Sequence, residues 1–246
     1  MLKTWQGLGY YNRAINLHKA AKACAKSLPK TVDALIALPG IGQNTAHAVA
    51  AFAFHQPVAV MEANVKRVIC RIFALENPAA DELWEKAHRL LDNAEPFDYN
   101  QAMMDIGAMV CTKRAPDCPK CPANIICAGQ VSPELYPQPL KKKAPPVRRK
   151  NIIVRRNASG KYFAAPREGK FLNGLYHFVE QDAGAKPQGA KLGHIRQQYS
   201  HFTLEADVYL QSAKGSGANW RTLAQLKKLP FSNAEHKILA LLQSAL

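Results

Sequence analysis

The sequence predicts two domains: an all-α domain over residues 1–130 and an α+β domain over residues 151–246, joined by a linker at 131–150. Three observations carry this. Hydrophobic periodicity is helical in the first half, it switches to a period of two in the second, and a proline- and lysine-rich stretch lies between them.

In the first half, "VKRVICRIFAL" places Val65, Val68, Ile69, Ile72 and Phe73 on one helical face, with Lys66, Arg67 and Arg71 mostly off it. "AINLHKAAKACAKSL" and "ELWEKAHRLLDNA" read as further helices, and "NQAMMDIGAMVC" leads a helix into a cysteine-rich loop. The stretch "SPELYPQPLKKKAPPVRRK" holds five prolines and six Lys or Arg. Proline denies it regular structure, and its charge suits it to a phosphate backbone. Beyond it, in "FTLEADVYL", Phe202, Leu204, Ala206, Val208 and Leu210 alternate with Thr203, Glu205, Asp207 and Tyr209, the period of a half-buried strand. "NIIVRR", "KYFAAP" and "LYHFVE" are shorter strands. "SNAEHKILALL" starts a helix with a capping box, Ser232 as N-cap and Glu235 at N3.

Composition narrows the function. The chain has 246 residues, 48% of them hydrophobic, enough for packed cores. Thirty-three Lys and Arg against 18 Asp and Glu leave a net charge of +15, which favours a polyanionic partner, nucleic acid first. The N-terminus lacks the apolar core of a signal peptide, and no 18-residue apolar run occurs. The expectation is a cytoplasmic monomer, nucleoid-associated in a bacterium, without a membrane partner. A reducing compartment favours metal ligation over disulfides.

Four of the six cysteines fall in "CTKRAPDCPKCPANIIC", spaced Cys111-x6-Cys118-x2-Cys121-x5-Cys127. Four thiolates can hold zinc or a [4Fe–4S] cluster. Only Cys118 and Cys121 form the short knuckle of structural zinc sites. The uneven outer arms suit a cubane, and spacing leaves both open. A second motif is "LPGIGQNTAHAV", residues 38–49. Gly40 and Gly42 permit a tight turn, and the free N–H groups of the following helix end can bind phosphate. This is a helix–hairpin–helix clamp, which carries no base information.

The x6-x2-x5 cysteine pattern, the hairpin, "WQGLGYYNRAINLHKAA", "ANVKRV" and "NQAMMDIGAMVC" together resemble the MutY-type adenine DNA glycosylases of the endonuclease III-like helix–hairpin–helix superfamily. "FLNGLYHFVE" and "QQYSHFTLEADV" resemble the MutT-like module of that family. The resemblance implies a helix–hairpin–helix glycosylase domain with a [4Fe–4S] loop on Cys111, Cys118, Cys121 and Cys127, then a MutT-like domain reading 8-oxoguanine through Tyr199, Ser200 and His201. The implied partner is double-stranded DNA carrying adenine opposite 8-oxoguanine or guanine. Leu8 and Tyr10 of "GLGYY" would wedge beside the lesion as adenine flips out. Lys66, Lys113 and Arg114 would meet the DNA backbone.

Excising adenine requires a carboxylic acid to protonate the base and a carboxylate to stabilise the developing oxocarbenium charge. The family's carboxylate is the aspartate of an Asp-Gly-Asn-Val pattern. Here "MEANVKRV" puts Glu62 at that position, one methylene longer, with Asn64 retained to position sugar and carboxylate. Asn64 also fits a helix N-cap. Where endonuclease III-like enzymes carry a Schiff-base lysine, this chain has Asn44, so the resemblance implies a monofunctional glycosylase. The family's general-acid glutamate lies upstream of "GLGYY". The expectation is that this chain lacks both that acid and the N-terminal part that bears it, and does not excise adenine as given. Two alternatives stand beside it: a non-catalytic lesion-DNA-binding remnant, and a zinc-stabilised DNA-binding module.

Overall fold

The computed structural model describes residues 1–24, 26–139, 144–169 and 171–245. The chain divides into two compact units, one of residues 19–142 and one of residues 1–18 with 143–246. Part of the expected linker, residues 140–143, lies outside the described residues.

The unit of residues 19–142 is helical. It takes the end of α1 (Tyr11–Ala23), then α2 (Val32–Ile36), α3 (Gln43–Phe54), α4 (Ala63–Ile72), α5 (Ala80–Leu90) and α6 (Pro96–Asp105). A single π-helical turn, Ile106–Val110, follows α6 and delivers the chain to Cys111. The apolar stripe of α4 is buried as its period requires, with Val65, Val68, Ile69 and Ile72 in a core shared with Leu83 and Ala87 of α5 and Met103 of α6. Arg71 departs from the expectation. It is 3% exposed, buried among carbonyl oxygens of the cysteine loop rather than off the packed face.

The other unit is built on a six-stranded mixed sheet. Its strands are β1 (Val147–Arg156), β2 (Tyr162–Phe163), β5 (Val179–Asp182), β6 (Ala190–Gln198), β7 (Thr203–Ser212) and β8 (Trp220–Arg221). A separate two-stranded ribbon pairs β3 (Ala165–Pro166) with β4 (Tyr176–His177). β1 and β7 run parallel through ten registered pairs, Val147↔Thr203 to Arg156↔Ser212. β1 therefore begins inside the stretch that composition reads as linker. Its prolines, Pro145 and Pro146, stop just before the first pair, where a missing N–H breaks no ladder bond.

Alternation along β7 holds. Ala206 and Val208 are buried and Leu204 and Leu210 half-buried, all in one core with α8 (Asn233–Ser244) and its neighbours, and Phe202, just before the strand, is buried against Phe171 and Tyr199. Thr203 is the exception, buried on the opposite face. A short helix, α7 (Leu223–Leu226), carries the capping box, with Thr222 and Gln225 bonded reciprocally. The box expected at α8 takes another form. Ser232 is the N-cap and accepts from Ala234 N–H, but Glu235 bonds the Ser232 hydroxyl rather than the N-cap backbone.

Among the described residues no helix is long and apolar enough to cross a membrane.

Candidate functional site

The start of α4 is organised by Glu62. It is the helix N-cap, and its Oε1 accepts from Asn64 N–H at 3.1 Å. Asn64 is therefore not the cap its sequence position also suited. Its side chain faces the cysteine loop instead: Asn64 Oδ1 accepts from Arg67 Nη2 at 3.0 Å, and Arg67 Nε donates to Cys111 O at 2.8 Å. Arg67 also donates to Gly107 O within the π turn. A Cβ on Gly107 would stand 2.7 Å from Asn64 Cβ, so only glycine allows this approach. A hydrogen-bonded line thus runs from the Glu62 carboxylate through Asn64 and Arg67 to the first cysteine.

The hairpin lies between α2 and α3. Gly40 is left-handed, with φ 78°, and Gly42 is the N-cap of α3. A cleft of about 490 Å³ opens at the start of α3, lined by Gly42, Asn44, Met61, Lys66 and Trp84 among others. Gly40, Glu62 and Asn64 are not among its lining residues, and none of the residues lining it is Asp or Glu. Trp84 was not legible as a site residue, since it falls on the apolar side of α5 and reads as core. It is backed by His47, whose ring centroid lies 4.5 Å away and whose Nδ1 is 2.8 Å from Ala59 O. Burial lowers the His47 pKa, with a smaller contribution from nearby His88.

The four cysteines of the loop share one small cavity, together with Arg71 and Asn124. All are free thiols. Arg71 is the hub of the loop. Its guanidinium donates to Cys111 Sγ at 3.2 Å, to Thr112 O at 2.7 Å, to Pro133 O at 2.9 Å and to Cys111, Lys113 and Tyr136 carbonyls at 3.3 Å. Cys127 Sγ donates to Arg71 O at 3.4 Å. Burial raises the Cys127 pKa, and the other three cysteines push the same way. Asn124 Oδ1 is buried against the cavity without a hydrogen-bond partner. Among the described residues no three His, Cys, Asp or Glu side chains are grouped to hold a single metal ion. Lys113 and Arg114 are exposed on the same loop, whereas Lys120 is paired with Asp117 at 2.8 Å.

The remaining expected site residues lie in the sheet unit. Gly7, Gly9 and Tyr10 all have positive φ, and Trp5 Nε1 donates to Gly9 O at 3.0 Å, which folds "GLGYY" into a knuckle. Tyr10 is 69% exposed and its φ of 46° is costly for a non-glycine residue, whereas Tyr11 is buried and its hydroxyl donates to Phe231 O. A pocket of about 330 Å³ brings Tyr10 together with Tyr199, Ser200, His201, Ser232 and Asn233. Leu8 is exposed outside its lining. The Tyr199 ring packs on Phe171 and Phe202, with centroids 5.2 and 5.0 Å away, and burial pushes its pKa up to about 12. Ser200 Oγ and His201 Nε2 are 3.3 Å apart at the open side.

Residues 1–93 match the family model described as HhH-GPD superfamily base excision DNA repair protein. The chain is also similar to curated proteins named adenine DNA glycosylase. That of Homo sapiens is 41% identical over 136 residues, 51% of this chain and 25% of the relative. That of Buchnera aphidicola subsp. Schizaphis graminum is 28% identical over 228 residues, 83% of this chain and 66% of the relative. The chain thus spans about a quarter of the human relative's length. The chain is also similar, with a TM-score of 0.35 and 10% identity, to the MutT protein from Methanosarcina mazei Go1, over 40% of this chain and 94% of that one.

Proposed function

We propose that the chain belongs to an adenine DNA glycosylase of base excision repair, whose reaction is hydrolysis of the N-glycosidic bond of adenine opposite 8-oxoguanine or guanine. In this reading the chain supplies duplex binding and lesion reading. The observation that carries it is the pocket shared by Tyr10 and the Tyr199–Ser200–His201 turn. The two segments are about 190 residues apart in sequence, and resemblance assigns both to the lesion. Their meeting around a space large enough for a purine supports that assignment. The exposed aromatic at Tyr10 offers a stacking face, and Ser200 and His201 offer hydrogen-bonding groups for a base edge.

The helical unit would hold the backbone. The start of α3, Lys66, Lys113 and Arg114 are the phosphate contacts, and Asn44 offers no amine for a lyase step. Glu62 would be the carboxylate facing the sugar, with Asn64 positioning it. Leu8 would enter the stack next to Tyr10. Because the residues lining the hairpin cleft include no carboxylic acid, the chain as given is proposed to bind without excising.

Cys111, Cys118, Cys121 and Cys127 would hold a [4Fe–4S] cluster. The donor set supports this: four thiols share one cavity, and Arg71 donates to one of them, as suits a thiolate ligand. The cavity, about 20 Å³, is smaller than such a cluster, so the loop would have to open to hold one. When bound, the cluster would fix the loop that presents Lys113 and Arg114.

The test is equilibrium binding of the purified chain to duplexes with adenine opposite 8-oxoguanine, adenine opposite guanine, or no mispair, with adenine release measured in parallel. Preference for the lesion duplex is expected. Equal affinity for all three would overturn the reading.

A further inference from the structure

Glu235 is an ionisable side chain buried for no reason that the helix start explains; burial raises its pKa, with the Ser232 hydrogen bond and Arg167 pulling the other way. It lies in the first turn of α8 and is 5% exposed. Ser232 already caps that helix through Ala234 N–H. A buried carboxylate is costly unless it is hydrogen-bonded or paired, and the partners of this one form a chain. Glu235 Oε2 accepts from the Ser232 hydroxyl, and Glu235 Oε1 is 3.6 Å from Arg167, which also pairs with Glu180 at 2.5 Å. On the other side, the Tyr199 hydroxyl is 3.5 Å from the same Ser232 oxygen.

Tyr199, with Phe171 and Leu172, lines two cavities. One is the 330 Å³ pocket with Tyr10, Ser200 and His201. The other, about 100 Å³, is lined by Arg148, Arg167, Glu180 and Glu235. The recognition turn itself has few anchors. Tyr199 N–H donates to Phe202 O at 2.8 Å, and Ser200 and His201 bond each other. Tyr199 is the side chain that ties the turn to the helix behind it.

We propose that Glu235 is a positioning residue for lesion discrimination, acting through Ser232 on Tyr199 and so on the Tyr199–Ser200–His201 turn; the proposal rests on the reading of that pocket given above. The mechanism is directional. A serine hydroxyl has one proton and two lone pairs. Glu235, as acceptor, takes the proton. The lone pairs of Ser232 then face Ala234 N–H and the Tyr199 hydroxyl, which must donate. Without Glu235 the serine hydroxyl rotates freely and Tyr199 loses its fixed partner. Arg167 holds the carboxylate from the far side.

The experiment measures, on the whole chain, the ratio of affinities for the adenine·8-oxoguanine and adenine·guanine duplexes. Variants Glu235→Ala, Glu235→Gln and Tyr199→Phe are compared, with thermal unfolding recorded for each. Tyr199→Phe removes one oxygen and keeps the ring, so it reports even where Glu235→Ala fails to fold. Tyr199→Phe and Glu235→Ala are expected to lower the ratio about 3- to 10-fold, the range of a single hydrogen bond. Glu235→Gln, whose amide oxygen still accepts from Ser232, is expected to keep the ratio. A wild-type ratio in Tyr199→Phe overturns the proposal, as does an equal loss in Glu235→Gln and Glu235→Ala. A ratio of one in the wild type overturns the pocket reading itself and the proposal with it.

Discussion

The guanidinium of Arg71 lies 3.2 Å from the sulfur of Cys111, forty residues further along the chain. Among the described residues no other side chain in the helical unit joins so many parts of the cysteine loop, since the same group also reaches the carbonyls of Thr112, Lys113, Pro133 and Tyr136. The backbone of Arg71 holds the far end of the loop, with Gly129 N–H donating to Arg71 O at 2.8 Å.

Arg71→Ala therefore strands several buried acceptors at once. Each costs about 1–3 kcal/mol when left unsatisfied, so a loss of at least about 3 kcal/mol is expected. Arg71→Lys recovers little, because three donors on a flexible stem cannot match the planar fork. Chemical denaturation gives the stability, and bound iron per chain gives the integrity of the loop. An alanine variant as stable and as metal-replete as the parent would contradict the hub role.

The cysteine loop itself predicts a coloured protein. Purified under reducing, anaerobic conditions, the chain should be brown and carry iron and sulfide in equal amounts. Replacing Cys118 or Cys121 by serine should abolish both. A colourless protein with stoichiometric zinc would establish the zinc alternative.

Gly107→Ala tests the approach of the π turn to α4. The added methyl would meet Asn64 Cβ at 2.7 Å, with the Asn64 backbone 3.0 Å away. Neither can yield without breaking the Asn64–Arg67–Cys111 line, so a loss of about 1–3 kcal/mol is expected, read as a fall in the denaturation midpoint. An unchanged midpoint would mean that the turn moves freely.

Adenine release is the catalytic test. The chain 1–246 is expected to release none from an adenine·8-oxoguanine duplex, and Glu62→Asp, which restores the family's shorter carboxylate, is expected not to rescue it. None of the residues lining the hairpin cleft is Asp or Glu, and shortening Glu62 adds none. Turnover by either protein would show that an acid elsewhere in the chain serves.

Stability should fall on acidification below neutrality. Burial depresses the pKa values of His47, His177 and His236 in the folded state, with His88, Arg167 and Lys3 respectively adding to the effect. A depressed base contributes stability that is fully present above its unfolded value, about 6.5, and is lost as pH falls below it toward the folded value. Urea midpoints at successive pH values down from neutral should decline through this window. A flat or rising profile would rule the histidines out as its source.

Much of this was legible in the sequence, and the rest has identifiable reasons for being hidden. The α4 stripe and the β7 alternation are local patterns, and both appear as read. Arg71 departs from its place in the helical pattern because its acceptors are backbone carbonyls of a distant loop, which no periodicity reports. Asn64 suits an N-cap by residue type, yet Glu62 holds that place, because the Asn64 side chain bonds Arg67 beside a distant loop. The packing of residues 1–18 with 143–246 is likewise invisible locally. It rests on contacts such as Lys3 Nζ with the Lys227 carbonyl at 2.8 Å and Gln6 with His236, each more than two hundred residues apart.

Tyr10 and Tyr11 are neighbours with opposite fates, one 69% exposed and the other 5%. The pair forms a natural footprinting couple. A reagent that iodinates or nitrates accessible phenols labels position 10 and spares position 11, and a peptide spanning both carries its own internal standard. Protection at one ring with silence at the next would report occupancy of the pocket without any engineered probe.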